Sequence, residues 1–196
     1  SYAARILGIH SAMPMRLALQ HCPSLRIVPP DHLRYSELSG QVMQRLQDLS
    51  PLVEPISIDE AFVDISDMPE PPIQTARLLQ LKIWDELHLP CSIGIASNKL
   101  VAKIATDVGK KAARGPFYPR AITVVPAGKE AEFMAPLPAS MLWGVGKKTE
   151  ASLAGLGIHT IGDIAHWPEK DLAQRFGQHG RDLARHARGE DDHPVV

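Results

Sequence analysis

Between residues 32 and 49, apolar side chains recur at Leu38, Val42, Leu46 and Leu49, a spacing of three and four that lines one face of a helix. Pro51 ends that helix. A second stripe, Ile73, Ala76, Leu79, Ile83 and Leu87, predicts another helix, halted by Pro90. A shorter helix over 14–21 starts at Pro14, whose fixed φ suits a first turn, and carries Met15, Leu17, Ala18 and Leu19. Between the two long helices the apolar period drops to two. Leu52 to Ile65 reads as two short strands about a turn at Asp59-Glu60, with Ile56 and Ile58 on one side and Ala61-Phe62-Val63-Asp64-Ile65 as the second strand. Met68 to Pro72 is a loop. Farther on, Cys91 to Ala96 predicts a strand, residues 98–109 a helix with Ser97 as N-cap, and Ala121 to Val125 another strand. Arg114 to Arg120 reads as a surface loop from its glycine and prolines. The order predicts an α+β fold, with helices covering one face of a mostly antiparallel sheet.

After residue 127 the strand signal stops. Four short helices are expected, separated by turns at Gly144, Gly146, Gly157, Gly177 and Gly189. Thr160 with Asp163 has the form of a capping box, and Pro168 and Gly177 frame the following helix. A small all-helical domain therefore follows the α+β layer, with the boundary in Pro126 to Gly128.

The chain has 196 residues, 44% hydrophobic and 22% charged, enough for one sizeable core and a smaller satellite. Its longest apolar runs are a few residues, so no membrane span is expected. The opening Ser1-Tyr2-Ala3-Ala4-Arg5 has neither a start methionine nor a leader pattern, although truncation would remove one. Cys22 and Cys91 stand far apart, outside any C-x-x-C pair, which fits a reducing cytoplasm. The histidines, concentrated after residue 158, form no ligand spacing with cysteines, so zinc is not expected.

A net charge of −1 conceals segregation. Residues 1–30 carry three arginines and no acid, residues 31–98 four basic against eleven acidic groups, and residues 99–120 six against one. An acidic block between two basic ones suits a site where carboxylates hold metal and cations hold phosphate. Solvated surfaces also segregate charge. Within the acidic block, Ser57-Ile58-Asp59-Glu60-Ala61-Phe62 puts two adjacent carboxylates at a hairpin turn. Alone, such a pair reads as a solvated turn; about a pair of divalent cations, the two can act together, and hard oxygen ligands select Mg²⁺. Lys99 and Lys103, four apart on one helix face, suit either a phosphate-facing or a solvent-facing role. Leu142-Trp143-Gly144-Val145-Gly146-Lys147-Lys148, followed by Leu153, Leu156, Gly157 and Ile158, reads as a helix-hairpin-helix whose glycines and helix amides can approach a phosphate. The plainer alternative is a helical turn around a core Trp143.

Four strings together resemble the Y-family translesion DNA polymerases of the DNA polymerase IV type. Ser1 to Arg5 with Gly8-Ile9 and Ser11-Ala12-Met13-Pro14 is similar to their fingers motif, and Ser57 to Asp64 to their palm carboxylate motif. Gly94 to Lys99 with Ala102 to Asp107 is similar to their palm helix, and Leu142 to Ile158 to their thumb hairpin. The strings occur in the family's order and cover nearly the whole chain. The resemblance implies fingers at 1–31, palm at 32–126 and thumb at 127–196. It implies that Asp59 bridges two Mg²⁺ ions and Glu60 completes the site of the ion that activates the primer hydroxyl. Tyr2, Arg5 and Lys110 would hold the triphosphate of the incoming dNTP, in keeping with the forked and point-charge donors that phosphate takes. Small Ser11 and Ala12 would roof the nascent base pair, and Gly144, Val145, Gly146, Lys147 and Lys148 would grip primer-template DNA without reading sequence. A sliding clamp would bind through a region beyond residue 196.

Some positions depart from the family pattern. Its first metal-ligand aspartate and nearby sugar-gate aromatic are expected on a strand preceding this chain, so the palm sheet and metal site are expected to be incomplete and the fragment by itself inactive. Ala3 stands where an acid is usual and Trp143 where proline is, and Lys111-Ala112-Ala113 replaces a proline-containing turn. A catalytically silent DNA-binding scaffold of the same family is the alternative, against which intact Asp59 and Glu60 argue. A metal-dependent phosphodiesterase would need an Asp/His cluster that this sequence lacks.

Overall fold

The structure, a computed structural model, describes residues 1–113 and 118–196. Two short helices lead in: α1, Tyr2–Ile6, capped by the Ser1 hydroxyl, and α2, Met15–His21, entered through Pro14. α1 buries no side chain and α2 buries only Ala18, so this segment has no core of its own. α3, His32–Gln47, starts where the Asp31 carboxylate accepts the Arg34 N–H at 3.0 Å. It is followed by a hairpin of β1, Val53–Pro55, and β2, Ala61–Val63, antiparallel with Glu54 opposite Phe62. Buried Ser50 pins the hairpin's open end, donating to the Asp64 carbonyl at 2.6 Å and accepting the Leu52 N–H at 3.2 Å.

α4, Pro72–Leu87, ends with His88 in the left-handed region, two residues before Pro90. β3, Ile93–Ile95, then leads through α5, Lys99–Ala112, to β4, Ile122–Val124. β3 and β4 pair in parallel, because α5 crosses between them and returns the chain in the same direction. The α+β arrangement is as expected. The strands, however, form two separate pairs, one antiparallel and one parallel, in place of a single mostly antiparallel sheet. α5 lies so close on β3 that a Cβ on Gly94 would sit 2.0 Å from the Ala102 carbonyl oxygen. Asn98, not Ser97, caps α5, its side chain accepting the Val101 N–H at 3.0 Å. The Ser97 hydroxyl bonds Glu130 instead. The expected loop at 114–120 falls partly outside the described residues.

The rest is helical: α6 Glu130–Met134, a 3-10 turn at Ala139–Met141, α7 Lys147–Ala154, α8 Ile161–His166, α9 Glu169–Phe176 and α10 Gln178–Ala187. Five α-helices thus stand where four were expected; α6 is too short for its period to show. The Thr160–Asp163 capping box is present, with the Asp163 N–H on the Thr160 hydroxyl and the His159 and Thr160 N–H groups on the Asp163 carboxylate. Met134, Leu142, Leu153, Ile161, Leu172 and Leu183 are fully buried, each contributing about 1.5–3 kcal/mol of transfer free energy. Their cluster continues into Leu100, Val101 and Ile104 of α5, so one core joins the helical part to the inner face of that helix.

After α10 the chain runs back to the α+β layer. The Gly189 carbonyl accepts from the Asn98 amide at 2.8 Å, Asp191 accepts the Leu100 N–H at 3.2 Å, and the Pro194 carbonyl accepts from Lys99 Nζ at 2.7 Å. No described helix is long and apolar enough to cross a membrane.

Candidate active site and nucleic-acid interface

The two strand pairs are not hydrogen-bonded to one another. A cleft of about 820 Å³ is lined by both, and Leu38, Val42 and Leu46 of α3 face it, with Leu49 just beyond that helix and Leu79 and Ile83 of α4. Asp59, Glu60, Lys103 and Lys110 belong to the same lining.

The hairpin turn that carries the carboxylates is closed by the Ile56 and Ser57 N–H groups, which both donate to the Glu60 carbonyl, at 2.9 and 3.2 Å. Asp59 is exposed at its tip. Its Oδ1 accepts the Ser57 hydroxyl at 2.8 Å, and the Asp59 N–H returns to that hydroxyl at 3.3 Å. Glu60 is half-buried and faces α5. Its Oε1 accepts from Lys103 Nζ at 2.7 Å and lies 3.6 Å from Lys110 Nζ. Lys103 also reaches both carboxylate oxygens of Asp107, at 3.3 and 3.2 Å. Burial alone would pull the Lys103 ammonium down, but its bonds to Glu60 and Asp107 outweigh this and raise it. One helical turn earlier, Lys99 bonds Glu54 of β1 at 2.7 Å and holds that carboxyl below its ordinary range. α5 therefore offers lysines at i, i+4 and i+11 to the acids of the hairpin, a stripe the sequence displays although its partners are distant. Lys99 and Lys103, which sequence reasoning left undecided between phosphate and solvent, both pair with these acids.

This donor set suits a hard divalent cation in part. Asp59 and Glu60 are adjacent oxygen ligands on an open cleft, with lysines occupying one oxygen of Glu60. No group of three or more His, Cys, Asp or Glu gathers for a metal among the described residues. Such a pair fits an ion whose remaining ligands are waters and phosphates, as Mg²⁺ prefers.

Tyr2 and Arg5 do not line this cleft. Arg5 lies over the Tyr2 ring at 5.2 Å, and Tyr2 meets Tyr118 edge-on at 5.5 Å between centroids. Ser11 and Ala12 are exposed in the loop between α1 and α2. Ala12 holds a left-handed φ of 62°, a conformation that costs an L-residue roughly 1–2 kcal/mol.

At the far end, Gly144, Gly146, Lys147 and Lys148 are exposed. Gly144 has a φ of 93° and Gly146 is the N-cap of α7, with no side chain capping the helix, so the first-turn amides remain open. Val145 is different: its side chain is buried and its N–H bonds the Leu142 carbonyl at 3.0 Å, so it builds the hairpin and offers no donor. Trp143 is 50% exposed and packs on Phe62 of β2, 6.3 Å between centroids, so it is not the core residue of a plain helical turn.

Residues 1–107 match the impB/mucB/samB family, and residues 128–158 match the IMS family HHH motif. The DNA polymerase IV of Desulfatibacillum aliphaticivorans is 41% identical over 198 residues, covering 100% of this chain and 48% of that protein. DNA polymerase IV 1 of Bacillus subtilis is 40% identical over 197 residues, covering 100% and 46%. The chain spans about half the length of the curated relatives it matches. Among solved structures, an insertion ternary complex of Dbh DNA polymerase superposes with a TM-score of 0.88 at 28% identity, over 100% of this chain and 56% of that one. DinB from Sulfolobus solfataricus gives 0.86 at 27%, over 100% and 56%.

Proposed function

This chain belongs to the impB/mucB/samB family, the Y-family DNA polymerases, and from that premise we propose that it supplies the nucleotidyl-transfer centre and a DNA grip of a polymerase IV-type translesion enzyme. Residues 1–31 serve as fingers, 32–126 as palm and 127–196 as thumb. The observation that carries the reading is the Asp59–Glu60 turn set across the cleft from Lys103 and Lys110.

In this reading Asp59 and Glu60 hold two Mg²⁺ ions. When bound, these ions supply acidification of the primer 3′-hydroxyl and neutralisation of the transferring phosphate. Lys110, Arg5 and Tyr2 bind and orient the dNTP triphosphate, the lysine as a point charge and the arginine as a fork. The position of Lys110 within 3.6 Å of Glu60 supports its half of that role, because a phosphate shared with the metals must lie close to both. Ser11 and Ala12 leave room over the nascent pair, and the amides of α7 with Lys147 and Lys148 hold the primer-template backbone.

Asp59→Ala in the full-length protein tests the reading. Primer extension is expected to disappear while affinity for primer-template stays within a few fold. Extension at an appreciable rate would refute the assignment, and loss of DNA binding as well would favour a scaffold role for the hairpin.

A further inference from the structure

We propose that Lys103 is a positioning residue for Glu60, fixing one carboxylate oxygen so that the other, together with Asp59, is presented to a divalent cation; this rests on reading Asp59 and Glu60 as metal ligands. Lys103 is held from both sides. Its Nζ lies 2.7 Å from Glu60 Oε1 and 3.2–3.3 Å from the two oxygens of Asp107, which follows it by one turn on α5. Asp107 therefore aims the ammonium, and the ammonium aims Glu60. Lys110 approaches the same oxygen, Oε1, while Oε2 takes part in no side-chain hydrogen bond of the described residues. The cations thus converge on one oxygen and leave the other open.

Docking the hairpin on α5 does not require this contact. The Lys99–Glu54 pair, less exposed than the Lys103–Glu60 pair, and the Phe62–Trp143 contact already seat the strands. What Lys103 adds is restriction of a flexible side chain whose freedom a ligand would otherwise have to remove. Groups that hold a metal ligand from behind commonly change metal affinity by about 10–100-fold when lost.

Coulomb's law makes the idea easy to overturn. A cation this close to a ligand repels an incoming metal, so simple competition predicts tighter metal binding when the lysine is removed. Positioning predicts the reverse.

The experiment is Mn²⁺ binding to the full-length protein without nucleotide, followed by electron paramagnetic resonance. Lys103→Met is expected to weaken binding at least about tenfold, and Lys103→Arg, which keeps a charged donor, to return it to within a few fold. The dNTP KM at saturating metal is expected to stay unchanged in both. If Lys103→Met does not fold, Lys103→Gln is read in its place. Unchanged or tighter Mn²⁺ binding in the neutral variant overturns the proposal. So does a raised dNTP KM with metal affinity intact, which would put Lys103 on a phosphate. Asp59→Asn and Glu60→Gln separate the two levels. If they leave Mn²⁺ binding untouched, the metal-ligand reading fails and takes this one with it; if they weaken binding while Lys103→Met does not, only this proposal falls.

Discussion

The helical part and the α+β layer differ in how completely they use their apolar side chains. In the helical part Leu153, Ile161, Ile164, Leu172 and Leu183 have no exposed surface, and Gly180 lets α10 approach within 2.1 Å of the Leu172 carbonyl, measured to an added Cβ. In the α+β layer the apolar stripe of α3 faces an open cleft, and charged pairs carry much of the contact between hairpin and α5. Packing is finished in the helical part and open beside the carboxylate turn. The groups proposed for chemistry cluster at that opening, because a carboxylate needs access that a closed core would deny it.

Removing core volume tests the contrast most directly. Leu153→Ala is expected to cost about 2–5 kcal/mol, since its neighbours are close-packed, while Leu79→Ala on the cleft wall costs well under half of that. Urea unfolding of both variants of this chain decides it; equal losses would show that the cleft is as well packed as the helical core.

A smaller effect separates nucleotide binding from DNA binding. Arg5→Ala or Lys110→Ala, made in the full-length protein, is expected to raise the apparent KM for dNTP by an amount corresponding to roughly 1.5–3 kcal/mol per charged contact, with primer-template affinity unchanged. Steady-state extension at varied dNTP reads this. Should Lys110→Ala leave KM alone, its place beside Glu60 would be structural.

The helical part should respond only in its hold on DNA. Lys147→Ala with Lys148→Ala is expected to flatten the log–log salt dependence of duplex binding by up to about two units, at roughly 0.9 per phosphate. Gly146→Val is a clean partner experiment. Its φ of −83° is ordinary, and nothing lies within 4 Å of an added Cβ, so the fold should survive while a phosphate is kept from the α7 amides. Titrations at several salt concentrations, with circular dichroism, check both.

The smallest effect is one of pH. The His159 and Thr160 amides and the Thr160 hydroxyl hold the Asp163 carboxyl below its ordinary range. A carboxyl depressed by folding stabilises above its unfolded pKa, near 3.9, and that contribution fades as pH falls through the folded value. Asp163→Asn should remove this part of the acid sensitivity, which thermal melts between about pH 3 and pH 6 would record.

Periodic features were legible from the sequence. The stripes of α3 and α4, the helix α5, the hairpin and the capping box all rest on local spacing, and each is found with its ends shifted by no more than about three residues. The Asn98 cap was harder to read, because Ser97 and Asn98 are adjacent and both can cap a helix. Strand direction was not legible in three-residue strands, although the run of strand, helix and strand about α5 carried the information: such a crossover joins parallel neighbours. At the site, the Asp59–Glu60 turn and the α5 lysines were visible separately. Their pairing joins residues 43 positions apart, and charge patterning alone cannot choose among distant partners. The burial of Val145 was missed because its glycine neighbours drew the whole string into one surface reading.

Trp143 gives the molecule an optical handle. The chain has three tryptophans. Trp84 lies under the Arg120 guanidinium at 4.7 Å and Trp167 packs against the helical core, so the surroundings of both stay within their own part of the fold. The half-exposed ring of Trp143 instead rests on Phe62, directly beyond the carboxylate turn. Any swing of the helical part away from the hairpin would expose that indole to water and shift its emission to longer wavelength. With Trp84 and Trp167 replaced by phenylalanine, any such movement could be followed in real time without an attached dye.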